Sequence, residues 1–175
     1  MAVLKVCKLG NPVIRKASEA IPKEAIGTPE IQKLIQDMIE TMHACEGVGI
    51  AAPQVGVGKQ LAVIEARTDA RIDRPIPLTV LVNPRIVSAS KSMLVDWEGC
   101  LSVNDLRGRV PRADWVDVEA LNHKGEKIKF HAERFFARVI QHECDHLVGK
   151  VFLDRMQGLE TLSHLHEFAK FHHDD

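Results

Sequence analysis

The segment His142-Glu143-Cys144-Asp145-His146 places two imidazoles four residues apart, with a carboxylate directly after the first. On an α-helix side chains four apart share one face. With Phe135 taken as the origin, Val139 falls about 40° round such a helix, His142 about −20°, His146 about 20° and Glu143 about 80°. One stripe therefore combines two metal ligands, a candidate general base and two apolar residues. Cys144 falls about 180° away, on the opposite side, and is not expected to be a ligand. Two ligands are too few for hydrolysis, because a catalytic metal usually takes three from the protein and keeps one position open for water.

The candidate third ligand is Cys100, in Glu98-Gly99-Cys100-Leu101-Ser102. A thiolate binds iron or zinc strongly, and Gly99 permits close backbone approach. By residue type alone, His43, His123 and His131 are rivals, and spacing does not choose among them. His164, His166, His172 and His173 read as a solvated tail. A further stretch, Gly47-Val48-Gly49-Ile50-Ala51-Ala52-Pro53-Gln54, is small enough to let a ligand backbone lie against the chain. There Gln54 offers an uncharged amide donor for a developing oxyanion. Taken alone, that stretch reads equally as a glycine-rich turn leaving a helix.

These residues need elements to position them. Thr28-Pro29 is a helix start, and the apolar spacing from Ile31 to Met42 predicts a helix over about Pro29 to Ala44. Gly47 to Gly58 reads as a loop. Leu61 to Ala66 reads as a strand, Arg67 to Pro77 as an exposed loop, and Leu78 to Val82 as a second strand ended by Asn83-Pro84. Trp115 to Leu121 and Glu126 to Ala132 flank a turn and read as a hairpin. The metal helix is predicted from Glu133 to Val148, with Gly149 as its C-cap. A last short helix is expected within Leu159 to Phe171, with fraying from His172 to Asp175. Strands precede the metal helix without βαβ alternation. The expected fold class is therefore α+β, with antiparallel β-sheets packed around a central helix carrying the H-E-x-x-H motif.

Composition narrows the function classes. The 175 residues suit one domain, 1–175, with a peripheral tail from about 158. A net charge of −1 argues against a broad nucleic-acid-binding surface. With no tyrosine and 5% aromatics the core must be mainly aliphatic. Four unpaired-looking cysteines indicate a reducing compartment. No apolar run approaches the ~20 residues of a membrane span. The expected location is the cytoplasm, or an organellar matrix if the chain is a processed form.

Together the three stretches resemble the peptide deformylase family, whose ordered signatures are G-x-G-x-A-A-x-Q, E-G-C-x-S and Q-H-E-x-D-H. The chain carries all three complete, at Gly47 to Gln54, Glu98 to Ser102 and Gln141 to His146. Leu9 to Arg15, Leu81 to Pro84 and Leu147 to Met156 extend the resemblance. It implies that Cys100, His142 and His146 bind one divalent metal, with ferrous iron as the usual physiological ion and zinc or others able to take its place. It implies a metal-dependent amidohydrolase that removes the N-formyl group from the N-terminal methionine of new polypeptides and releases formate. Glu143 would be the base, and Gln54 with the Leu101 backbone N–H would hold the oxyanion. Phe135, Val139 and Val48 would wall an apolar pocket for the methionine side chain. The backbones of Gly49 and Gly99 would flank the peptide as adjacent strands.

The resemblance also implies transient contact with the ribosome. Some members dock through a basic C-terminal helix, whereas this tail, Gly158 to Asp175, carries histidines and an acidic end. Val103-Asn104-Asp105 likewise replaces a common Val-Pro or Ile-Pro step. Asp145 is expected to pair with an arginine such as Arg112. Three rivals compete with this reading: a zinc endopeptidase, a structural metal clamp without chemistry, and an enzyme acting on a different acyl group.

Overall fold

The computed structural model describes residues 2–67 and 74–172. Most of the loop expected over 67–77 lies outside that range, as do His173 and the end of the tail. The helices are α1 (Lys23–Ile26), α2 (Pro29–Ala44), α3 (Arg134–Leu147) and α4 (Leu165–Phe171). The strands are β1 (Gly49–Ala51), β2 (Leu61–Ala66), β3 (Ile76–Ala89), β4 (Met93–Cys100), β5 (Val103–Ala113), β6 (Trp115–Leu121), β7 (Lys127–Glu133) and β8 (Ser163–His164). They form a five-stranded sheet, β1-β2-β3-β6-β7, and a three-stranded sheet, β4-β5-β8. Every pairing within them is antiparallel. The α+β expectation and the hairpin of β6 and β7 are as read from the sequence.

α2 has the bounds expected of it. The Thr28 side chain accepts from the Ile31 N–H, and Pro29 occupies the first turn. Its apolar stripe, including Ile31, Ile35, Met38 and Met42, packs on β2 and β3 through Leu61, Val63, Val80 and Val82. α3 packs against β1, β2, β5 and β7. It buries Ala137, Arg138, Val139, Ile140, Glu143, Asp145, His146 and Leu147, so the polar residues of its motif lie inside the protein.

Three sequence-derived boundaries are corrected. The expected loop 47–58 contains β1 and a 3-10 turn, Ala52–Val55. Three residues are too short a strand for alternation to reveal, and all three of these are buried. β3 begins at Ile76 and runs through Asn83-Pro84 to Ala89. Asn83 takes a positive φ of 51° at a shift in the β3–β6 register, so the pair marks a bulge rather than a strand end. β4 and β5 have no counterpart among the sequence-derived elements, because much of β4 is exposed and lacks a clean alternation.

The end of α3 is a Schellman cap. Gly149 N–H donates to His146 O (3.2 Å) and Lys150 N–H to Asp145 O (2.9 Å), with Gly149 at φ 73°. A Cβ at Gly149 would sit 2.5 Å from Arg15 O. Gly149→Ala is therefore expected to destabilise the fold by roughly 2 kcal/mol or more, from the left-handed backbone and the backbone clash together. A urea titration of the variant against the parent chain checks this.

Candidate metal centre

The two sheets meet at α3, and the site forms where their free edges face it. β4 ends at Cys100 and brings the thiol to the helix face that carries His142 and His146. The ligand atoms of Cys100, His142 and His146 all lie within 4.8 Å of one another. Cys100 Sγ is 3.3 Å from His146 Nε2. Two ligands about 2.0–2.3 Å from one ion and tetrahedrally disposed lie roughly 3.5 Å apart, so this spacing fits a single shared ion. Cys100 and His146 are buried, and His142 nearly so. The rival ligands are elsewhere: His43 pairs with Glu65, and His131 with Asp117 and Glu133. The His123 side chain is exposed on the β6–β7 turn.

Glu98 orients the centre. Its Oε2 accepts from His142 Nδ1 (2.9 Å), which leaves Nε2 of that ring for the metal. Arg112 donates to both Glu98 oxygens (Nε 2.9 Å, Nη2 3.0 Å), and Arg138 Nη1 donates to Oε1 (2.8 Å). Arg138 also donates to Leu94 O (2.7 Å) and Val110 O (2.8 Å), so one side chain joins α3 to β4 and β5. Burial alone would push the Glu98 carboxyl up. Hydrogen bonds and charge from His142 and Arg112 outweigh burial and hold it well below the usual carboxylate range.

Behind this shell Asp145 accepts from Arg112 Nη1 (2.5 Å) and Arg155 Nη2 (2.5 Å), which is the pairing expected of it. Gln141 ties the helix to the end of β5, accepting from Ala113 N (3.0 Å) and donating to Ala113 O (2.9 Å).

Glu143 has a different environment. It is buried, its Oε2 has no hydrogen-bond partner, and burial pushes its carboxyl up to about 7. A carboxyl in that range can take and return a proton near neutral pH. Its side chain fills the space that a Cβ at Gly49 would occupy. Gln54 is buried, and its orientation is fixed: its Oε1 accepts from Ala51 N (2.8 Å), which turns the amide Nε2 toward Cys100 Sγ (3.6 Å) and Ser102 Oγ (3.3 Å). Val48, Phe135 and Val139 belong to one apolar cluster. At Gly99 a Cβ would overlap the Arg107 guanidinium.

The structure brings Cys100, His142 and His146 together, sets Gln54 beside Cys100 and Glu143 against Gly49, and adds Glu98, Arg138 and Ser102 to this region. Glu98 lies two residues before Cys100 on β4, and its inclusion in the E-G-C-x-S stretch was the one sequence signal for it, because that strand shows no clean alternation. Helical spacing held the signal for Arg138, one turn before His142.

Glu98→Gln leaves Arg112 and Arg138 buried beside a neutral amide. At pH 7 it is expected to destabilise the metal-free protein by about 3 kcal/mol. Because folded Glu98 is held below its ordinary value, its contribution is complete above about pH 4.3 and is lost as pH falls through the folded value. The variant is therefore expected to show a flatter fall in stability on the acid side, read from urea midpoints at a series of pH values.

Comparison with known proteins is consistent throughout. A model of the family described as polypeptide deformylase matches residues 3–161. Peptide deformylase 1 of Bordetella pertussis is 45% identical over 156 residues, covering 88% of each chain. Peptide deformylase 2 of Pseudomonas putida is 39% identical over 168 residues, covering 95% of this chain and 89% of the relative. Among solved structures, the Met-Ala-Ser-bound class I type b peptide deformylase of Acinetobacter baumannii superposes with a TM-score of 0.85 at 36% identity. That match covers 89% of this chain and 99% of the other. The actinonin-bound form of the same enzyme gives a TM-score of 0.82 at 35% identity over 90% of this chain and 100% of the other. With a family match across most of its length and relatives this similar, the chain belongs to the polypeptide deformylase family.

Proposed function

We propose that residues 1–175 act as one catalytic domain that hydrolyses the formyl amide of N-formyl-methionyl polypeptides, releasing formate and a free N-terminal methionine. The observation that carries this reading is the buried, unpartnered Glu143 carboxylate beside a three-ligand centre. A closed structural clamp has no use for a base held at that position. Ferrous iron is the physiological ion in this reading, and the soft thiolate with two imidazoles also suits zinc. When bound by Cys100, His142 and His146, the ion supplies Lewis acidity to an otherwise poorly electrophilic formyl carbonyl.

The remaining steps belong to the chain. Glu143 takes a proton from the attacking water and passes it to the leaving amine. The Gln54 amide and the Leu101 N–H hold the oxygen that becomes negative. Val48, Phe135 and Val139 receive the methionine side chain. Among the described residues, β1 and β4 are edge strands of their sheets, paired only with β2 and β5. A peptide extended between their free edges, past Gly49 and Gly99, completes the hydrogen bonding of both. A cavity of about 360 Å³ lined by His43, Glu46, Val48, Glu65 and Arg67 adjoins the Val48 end of this stretch. The Met-Ala-Ser and actinonin complexes of the Acinetobacter enzyme support this substrate class. In this reading the enzyme works where new polypeptides are made, in the cytoplasm or, for a processed form, an organellar matrix, in passing contact with the ribosome. No helix among the described residues is long and apolar enough to cross a membrane.

The test is formate release from formyl-Met-Ala-Ser by protein loaded anaerobically with ferrous iron, because a thiolate ligand oxidises readily in air. Turnover is expected from the parent chain, and Glu143→Ala is expected to lose at least about 10²-fold in kcat while retaining its iron. An iron-loaded, folded parent chain that releases no formate would rule out this substrate. Undiminished turnover in Glu143→Ala would rule out this base.

A further inference from the structure

The N-terminal segment 7–9 runs between the two pieces of backbone that carry the oxyanion donors. Cys7 N–H donates to Gln54 O (2.7 Å), and Leu9 N–H donates to Ser102 O (2.8 Å). Between them, Lys8 Nζ donates to Leu101 O (2.8 Å) and to Asn104 Oδ1 (2.8 Å). Both acceptors are neutral, and among the described residues Lys8 forms no ion pair. Lys8 is exposed. An exposed lysine gains little from such a geometry by way of stability, yet it sits on the turn that carries the ligand sulfur.

The peptide unit it grips joins Leu101 to Ser102. At one end its carbonyl accepts from the Lys8 ammonium, and at the other its N–H, that of Ser102, points at Cys100 Sγ (3.4 Å). A cation on the oxygen polarises the unit and strengthens its N–H as a donor to the thiolate. Fixing the Leu101 carbonyl also limits rotation of the turn, and with it the direction of the Leu101 N–H. Asn104 supplies the second acceptor, at a position where the step following the E-G-C-x-S motif departs from Val-Pro or Ile-Pro. Asp105 follows in a left-handed conformation, φ 57°.

We propose that Lys8 is a positioning residue. Through Leu101 O it sets the Cys100-Leu101-Ser102 turn, orienting the Leu101 N–H at the oxyanion and the Ser102 N–H on the ligand sulfur. This rests on the oxyanion role assigned to Leu101 above.

The experiment compares Lys8→Met, Lys8→Arg, Asn104→Leu and Gln54→Leu with the parent chain. Its readouts are kcat and KM for formyl-Met-Ala-Ser, the urea midpoint, and the thiolate-to-cobalt charge-transfer band of the Co2+-loaded protein. Lys8→Met is expected to lower kcat roughly tenfold, short of the ~10²-fold cost of deleting an oxyanion donor outright. KM and the urea midpoint stay in place, because the lost interaction is made in the transition state. The charge-transfer band shifts as the N–H···S bond weakens, and Lys8→Arg restores both kcat and the band. Asn104→Leu, which leaves the N-terminal segment intact, is expected to show the same signature with a kcat loss of roughly two- to threefold.

The proposal is overturned if Lys8→Met keeps the parent kcat, or if kcat and urea midpoint fall together with the band unmoved. Parent behaviour in Asn104→Leu also counts against it. Gln54→Leu separates the two layers of the argument. If it loses kcat while Lys8→Met does not, the fault lies with Lys8 alone. If it keeps the parent kcat, the Gln54 oxyanion assignment fails, whereas the role of Lys8, which acts through Leu101, is decided by Lys8→Met.

Discussion

A carboxylate with no access to water must be met by cations and N–H donors, and Glu98 is the place where this chain meets that requirement. Arg112 comes from β5, Arg138 and His142 from α3, and Glu98 itself from β4. Satisfying one buried charge therefore fixes the helix against the smaller sheet. The same contacts orient the His142 ring, so the pairing that holds the elements together also aims a metal ligand. Asp145 repeats the arrangement one layer out, gathering Arg112 and Arg155. Removing any one partner leaves the others charged and dry, which makes the network far more costly to break than to omit.

That rigidity sets two carboxylates on adjacent elements to opposite tasks. Glu98 is surrounded by positive groups and stays ionised. Glu143, also buried, has no donor on Oε2, and burial raises its carboxyl to about 7. The difference lies in neighbours, not residue type, and it separates the group that orients a ligand from the group that carries a proton. Among the described residues β1 and β4 are edge strands, each with one edge unpaired; β4 ends at the ligand Cys100, and β1 carries the Gly49 that packs on Glu143. A glycine on each edge makes room, Gly49 for Glu143 and Gly99 for Arg107.

Much of this was legible before any coordinates. The spacing of His142 and His146 is a property of helical pitch, and the helix that carries them has the expected span to within a residue or two. α2 was equally plain, because Thr28-Pro29 marks its start and the apolar stripe its face. The choice of Cys100 over three histidines was not legible from spacing, since it depends on β4 folding back beside α3 over the 41 residues between Cys100 and His142; the resemblance to a family supplied it, and the geometry agrees. β1 was hidden by brevity and by its glycine. β4 was hidden because its run of apolar residues, Met93, Leu94 and Val95, is exposed while Glu98 is buried, and β5 because it buries the charged Arg112 beside Val110 and Ala113. Alternation rules assume the reverse, and a buried ionic network inverts them. The part played by Lys8 had no local signal, for its partners lie more than ninety residues away.

The central claim is that Cys100, His142 and His146 hold one ion and leave a coordination position free. X-ray absorption at the zinc edge of the zinc-loaded protein tests it most directly. The account predicts one sulfur at about 2.3 Å, two imidazole nitrogens at about 2.0–2.1 Å and one further light scatterer that is exchangeable with solvent or inhibitor. A shell without sulfur, or four protein ligands with no exchangeable position, would contradict it.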